Sequence, residues 1–164
     1  MEDKITIDRI QLLHPKVRVE AGLIYKEIIA ALAGSAICRF AYTLRTFAEQ
    51  DALYLKRPKI TNAKGGQSYH NYGLAIDIVL LVDKDKNGTF ESASWETNVD
   101  FDGDGKADWQ EIVSIFKRYG WEWGGDWKFT DKPHFQKTLG HSIAQLQTMF
   151  NTNKFIPNTN YLAL

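Results

Sequence analysis

The sequence predicts an α+β fold, a small, mostly antiparallel sheet packed with helices, on three observations. Apolar residues recur at helical spacing near the N-terminus and then give way to extended, β-branched chain. The run Leu74 to Val82 is apolar at every position but Asp77, as in a strand buried on both faces. Elements follow in the order helix, strand, helix, strand, helix, short strands, helix, which argues helices on a small, mostly antiparallel sheet.

Each element has its own signal. After a short lead, Pro15 opens a helix at its first turn, and Val17, Ala21, Ile24, Ile28 and Leu32 carry its apolar face until Gly34 stops it. Ala36 to Leu44 reads as a strand and Thr46 to Leu55 as a short helix, with Thr46 and Glu49 as a capping box and Arg45 at the junction. From Lys56 to Tyr72 the chain is basic, polar and glycine-containing, a loop of a length that is usually functional. The buried strand Gly73 to Val82 follows. Then come an acidic stretch, Asp83 to Gly105, a helix from Asp108 to Tyr119, an aromatic segment, Trp121 to Phe135, and a last helix from about Ser142 to Phe150. Residues 1–164 are expected to form one domain, with an acidic, calcium-loop-like insertion at about 83–111.

Composition narrows the function. With 44% hydrophobic and 13% aromatic residues the chain is globular, and a formal charge of zero with dispersed Lys and Arg excludes the basic footprint of a nucleic-acid binder. The lone Cys38 lies in a core-like strand, excludes an internal disulfide and fits a reducing compartment. No signal peptide and no membrane span are evident, so the expectation is a monomer made in the cytoplasm that reaches any extracytoplasmic substrate by release or delivery.

Asp77 carries the chemistry. An ionised carboxylate in that apolar strand costs several kcal/mol unless a cation meets it. His70 lies seven residues earlier and His134 far downstream. Two imidazoles and one carboxylate, with a fourth position left to water, form the catalytic pattern of zinc coordination. A straight strand would hold His70 and Asp77 roughly 23 Å apart, so the chain must fold back between them, and Asn71-Tyr72-Gly73 supplies the bend. The competing reading pairs Asp77 with Arg45 or Arg39 and leaves His70 an ordinary loop histidine. Pro133 holds Lys132 extended, so Asp131 sits on a stiff segment three residues before His134, where it is placed to move protons as a general base; its alternative is a solvated turn acid.

These residues bring a resemblance into view. The pattern Ser68-x-His70-x-x-Gly73-x-Ala75-x-Asp77, then Trp123-Gly124-Gly125-Asp126-Trp127 and Asp131-x-x-His134, resembles peptidoglycan zinc peptidases, which include VanY-type D,D-carboxypeptidases and L-alanyl-D-glutamate endopeptidases. The Gly-Gly-Asp-Trp element and the short chain look most like the endopeptidases. The resemblance, covering about Arg45 to Phe135, implies zinc ligands His70, Asp77 and His134, with Asp131 as general base where the family frequently has Glu. It also implies that Arg45, in Leu44-Arg45-Thr46-Phe47-x-Glu49-Gln50, and Ser68 contact the stem peptide of peptidoglycan. A planar, permanently charged guanidinium suits the carboxylates of that peptide. Trp121, Trp123 and Trp127 read as core aromatics.

A second metal signal is independent of the first. Asp100, Asp102, Asp104, the carbonyl of Lys106, Asp108 and Glu111 match the positions of a calcium loop with a helix after it, so Ca2+ joins Zn2+ as an expected cofactor. The alternative is a capping box between Asp108 and Glu111. Asp83-x-Asp85-x-Asn87-Gly88 begins similarly but lacks the closing acid, and reads as a hairpin turn. The leading functional expectation is L-alanyl-D-glutamate cleavage, ahead of D-alanyl-D-alanine carboxypeptidase activity and of a non-catalytic, calcium-dependent wall-binding module.

Overall fold

The computed structural model describes residues 1–164. In chain order it contains α1 (Lys4–Ile10), α2 (Pro15–Ala31), β1 (Ala36–Tyr42), α3 (Phe47–Leu55), β2 (Ala75–Val82), β3 (Ser92–Ser94), α4 (Asp108–Arg118), β4 (Glu122–Trp123), β5 (His134–Gln136) and α5 (Ile143–Asn151). The predicted α+β class is what forms. Helices pack on one small antiparallel sheet around a single cluster of 26 buried apolar residues. No helix is long and apolar enough to cross a membrane.

The strand β2 is the spine of the sheet. Its one edge pairs with β1, from Ala36 opposite Val82 to Tyr42 opposite Asp77. The other edge is shared, β5 taking Ala75 to Asp77 and β3 taking Leu80 to Val82, while β4 closes the sheet beyond β5. Burial on both faces of the strand explains a run that is apolar at every position but Asp77. The β1 register slips between Phe40 and Tyr42, next to Asp77, a bulge that re-aims the chain toward Thr43 and Arg45.

Local chemistry accounts for the helix boundaries. Pro15 occupies the first turn of α2, whose buried face is Val17, Ala21, Ile24, Tyr25 and Ile28, and left-handed Ala33 and Gly34 end it. Thr46 and Glu49 form the expected capping box on α3. On α4, Trp109 and Phe116 are fully buried, and Phe116 stacks on Phe135 with ring centroids 4.1 Å apart. Removing such an aromatic to alanine costs about 3–5 kcal/mol.

Three features depart from the sequence reading. The short lead contains α1, capped by Asp3, which accepts from Thr6 N and Thr6 Oγ1; the helix is only two turns long, too short for a periodic pattern to stand out. The acidic stretch contains β3, so Asp83 to Glu91 connects two antiparallel strands, and Asp83 accepts from Asn87 N and Gly88 N as the expected hairpin turn. The capping box between Asp108 and Glu111 does not form. Ala107 is the cap residue, and the Asp108 carboxylate turns back to accept from Phe101 N at 2.6 Å and Ser35 Oγ at 3.3 Å.

Candidate metal centre

Backbone pairing builds the centre. Asp77 on β2 and His134 on β5 are register partners, and His134 Nδ1 lies 3.1 Å from Asp77 Oδ1. His70 arrives on a 3₁₀ turn, Tyr69–Tyr72, which Ser68 caps by accepting from His70 N, and left-handed Gly73 turns the chain into β2. A Cβ on Gly73 would lie 2.7 Å from His14 N, so only glycine fits this bend. The fold-back required between His70 and Asp77 is therefore present. His70 Nε2 also lies 3.1 Å from Asp77 Oδ1, and donor atoms of all three residues fall within 4.8 Å of one another.

The donor set fits zinc. His70 Nδ1 donates to the Thr43 carbonyl at 2.7 Å, which leaves its Nε2 as a bare lone pair, buried, without a hydrogen-bond partner and facing a carboxylate oxygen. A lone pair and an anion repel unless a cation lies between them. Around His134 the back of the ring is likewise engaged, Nε2 lying 3.1 Å from Gln136 Oε1, so that Nδ1 faces the centre. Tetrahedral coordination by nitrogen and carboxylate oxygen, with the outer ring nitrogens held by acceptors, is the catalytic zinc pattern.

Charge supports the same reading. Burial alone would raise the Asp77 carboxyl, but positive charge on the facing His70 and His134 rings outweighs it and holds it far below the usual carboxylate range, so a cation at this position is what keeps the carboxylate ionised. Of the competing partners, Arg39 is committed to Asp3 at 2.8 Å, and Arg45 reaches Asp77 only at 3.5 Å. Asp131 behaves oppositely. Burial of its carboxyl and then repulsion from Asp77 push it above the ordinary value, although the residue as a whole is exposed. A carboxylate raised in this way is better matched to taking up and returning a proton near neutral pH.

The three candidate ligands, Asp131, Arg45 and Ser68 all line one cleft of about 480 Å³, whose walls include Ile60, Gln67 and Trp127. Asp131 N donates to Gly124 O at 2.9 Å, and a Cβ on Gly124 would lie 2.4 Å from Asp131 O. The glycine thus lets the Asp131 segment sit down on the turn after β4. Arg45 is fixed by Gln50 Oε1 at 2.9 Å and lies over the Tyr42 ring, while its buried Nε has no partner. Glu122 and Asp126, the next acids along the chain, serve elsewhere: Glu122 accepts from Gln136 Nε2, and Asp126 pairs with Lys117.

Sequence reasoning did not single out Thr43, Gln50 or Gln136. Thr43 acts through a carbonyl, which leaves no side-chain signal. Gln136 had one, since two residues along a strand from His134 it must share that face. Trp121 is core, as expected, whereas Trp127 lines the cleft. In the acidic loop, Asp100, Asp102 and Asp108 bring carboxylate oxygens within 4.8 Å of one another, while Asp104 and Glu111 flank the Lys106 ammonium at 3.2 and 3.6 Å.

Comparison with known proteins gives the family. Residues 61–137 match the peptidase M15 family model described as D-alanyl-D-alanine carboxypeptidase. The chain is also 44% identical over 130 residues, 76% of its length and 72% of the relative's, to the peptidoglycan L-alanyl-D-glutamate endopeptidase CwlK of Bacillus subtilis (strain 168). With His70, Asp77, Asp131 and His134 all inside the matched region, the chain belongs to the M15 family of zinc peptidases.

Proposed function

We infer that this protein is a zinc-dependent peptidase that hydrolyses the L-alanyl-D-glutamate bond in the stem peptide of bacterial peptidoglycan. The observation that carries it is the convergence of His70, Asp77 and His134 at the floor of a cleft whose wall presents Asp131. The likeness to the Bacillus endopeptidase favours this bond over the terminal D-alanyl-D-alanine bond. Zinc held by the three ligands supplies Lewis-acid polarisation of the scissile carbonyl and lowers the pKa of the attacking water.

The remaining steps belong to the side chains. The Asp131 carboxylate takes a proton from water as its oxygen attacks the alanyl carbonyl carbon. It then returns that proton to the glutamyl nitrogen as the carbon–nitrogen bond breaks, leaving a carboxylic acid and an amine. Arg45 holds a stem carboxylate with the donors Asp77 and Gln50 leave free. The Ser68 hydroxyl, accepting from His70 N, keeps its own proton for a substrate carbonyl. His70, Asp77, His134, Asp131 and Arg45 of a single chain line the cleft together, so a monomer would suffice for the reaction.

We further propose that the loop from Asp100 to Glu111 takes Ca2+, with Asp100, Asp102 and Asp108 as the nearest carboxylates. The enzyme acts on the bacterial cell wall.

Muropeptide mass spectrometry on purified sacculi tests the function. Chelator-sensitive appearance of stem fragments with a new glutamate N-terminus is the expected result. Release of terminal D-alanine alone would transfer the assignment to the carboxypeptidase branch, and no cleavage with zinc present would overturn it.

A further inference from the structure

We propose that Gln136 and Glu122 form a positioning relay behind His134 that fixes its tautomer and so sets how tightly the centre holds zinc. The inference rests on the ligand set above. Along β5 the side chains of His134 and Gln136 share a face, and across the β4–β5 ladder Gln136 is the register partner of Glu122. Gln136 Oε1 lies 3.1 Å from His134 Nε2, and Gln136 Nε2 donates to Glu122 Oε2 at 2.8 Å.

Hydrogen-bond chemistry gives this chain one direction. An ionised carboxylate only accepts, so Glu122 takes the amide NH2 of Gln136. The amide must then present its oxygen to the imidazole. An oxygen there accepts, so His134 carries its proton on Nε2 and turns the Nδ1 lone pair toward Asp77 and the metal position. The other neutral tautomer would set two lone pairs against each other at Gln136 and place a proton where the metal binds.

His70 reaches the same end through the Thr43 carbonyl, a backbone acceptor that no substitution removes. His134 depends on side chains, which makes its half of the centre tunable. The relay is also dispensable for the ladder itself, because β4 and β5 pair through backbone at Glu122 with Gln136 and at Trp123 with Phe135. Losing the amide should therefore act on metal binding rather than on folding.

The test measures zinc affinity by competition with a chromophoric chelator, together with the melting temperature of each metal-free protein. Gln136→Leu should weaken zinc binding about 10- to 100-fold with an unchanged metal-free melting temperature. Pairing Gln136→Glu with Glu122→Gln exchanges carboxylate and amide, keeps an acceptor on Nε2, and should restore affinity to within about threefold of the original. Wild-type affinity in Gln136→Leu, or a weakened double exchange that melts normally, would overturn the relay. Should Gln136→Leu not fold, nitrogen-15 NMR of the zinc-loaded wild type decides: a proton on His134 Nε2 is expected, and one on Nδ1 would overturn the proposal. A wild type that binds no zinc, or a His134→Ala variant that binds it normally, would instead remove the ligand set.

Discussion

Asp77 and His134, 57 residues apart in sequence, stand opposite each other on antiparallel strands, and this pairing alone brings Oδ1 and Nδ1 to 3.1 Å. Half of the candidate metal centre is thus set by sheet register. A one-residue slip of β5 would turn His134 to the other face, so the centre assembles only when the sheet does.

Removing a ligand should remove the metal. His70→Ala and Asp77→Ala are expected to fall from about one zinc per chain to substoichiometric content, with loss of activity. Metal analysis of purified protein checks this, and stoichiometric zinc in Asp77→Ala would refute the ligand assignment.

Asp131 should be separable from the ligands. Asp131→Asn is expected to keep its zinc and its melting temperature while turnover falls on the order of a hundredfold or more. Near-normal turnover would leave no acid in position to take its place, since Glu122 and Asp126 are engaged elsewhere.

Arg45 should act on substrate binding. A charge-assisted hydrogen bond contributes about 1.5–3 kcal/mol, so Arg45→Ala should lower kcat/KM by roughly 10- to 100-fold, chiefly through KM. Arg45→Lys keeps the charge but not the fork and should recover only part of the loss. Steady-state kinetics on a soluble muropeptide give the split, and an unchanged KM would return Arg45 to a purely structural role.

Acid should weaken the attachment of α1. Burial alone would raise the Asp3 carboxyl, but bonds from Arg39 and Thr6 outweigh it, and its pKa lies below the ordinary 3.8. A depressed carboxylate stabilises the fold fully above its unfolded pKa, and that stability is lost as pH falls through the lower folded value. Asp3→Asn should cost about 2–3 kcal/mol near neutrality, or a melting temperature lower by roughly 5–10 °C. The gap between variant and wild type should close as pH drops below about 4. A constant gap from pH 6 to 2.5 would show that the charge on Asp3 is not what matters.

Calcium should order the acidic loop and stabilise α4 behind it. At concentrations a hundredfold above its Kd, Ca2+ should add about 2.7 kcal/mol of stability, with Asp100→Asn removing most of the response and Glu111→Gln weakening it. Because Phe116 on α4 stacks against Phe135, next to His134, activity should rise with loop order while zinc content stays constant. Calorimetry of zinc-loaded protein showing no binding at millimolar Ca2+ would end this reading.

Much of the candidate centre was legible because its residues conflict with their neighbours. A carboxylate in an apolar strand demands a cation, and a proline two residues after Asp131 demands a stiff turn. The main helices and strands were legible from periodicity and from caps such as Thr46 with Glu49. What escaped depends on pairings that no local pattern encodes: the carbonyl of Thr43, the junction of β3 with the far half of β2, and the turn of Asp108 away from its own helix toward Phe101.

The distribution of charge along β2 has an electrostatic consequence. No acidic residue lies between Asp51 and Asp77, while Lys56, Arg57, Lys59 and Lys64 occupy the segment leading into the cleft, and the acidic segment from Asp83 leaves the opposite end of the strand. Six residues of strand separate Asp77 from Asp83 by roughly 20 Å, more than twice the screening length of about 8 Å at physiological salt. The neutral chain is therefore a dipole whose poles act independently. An anionic stem peptide approaching the cleft meets this basic segment beside it, and it feels little of the acidic pole at the far end of β2. Raising the ionic strength should slow capture of such a substrate, even though the protein as a whole carries no net charge.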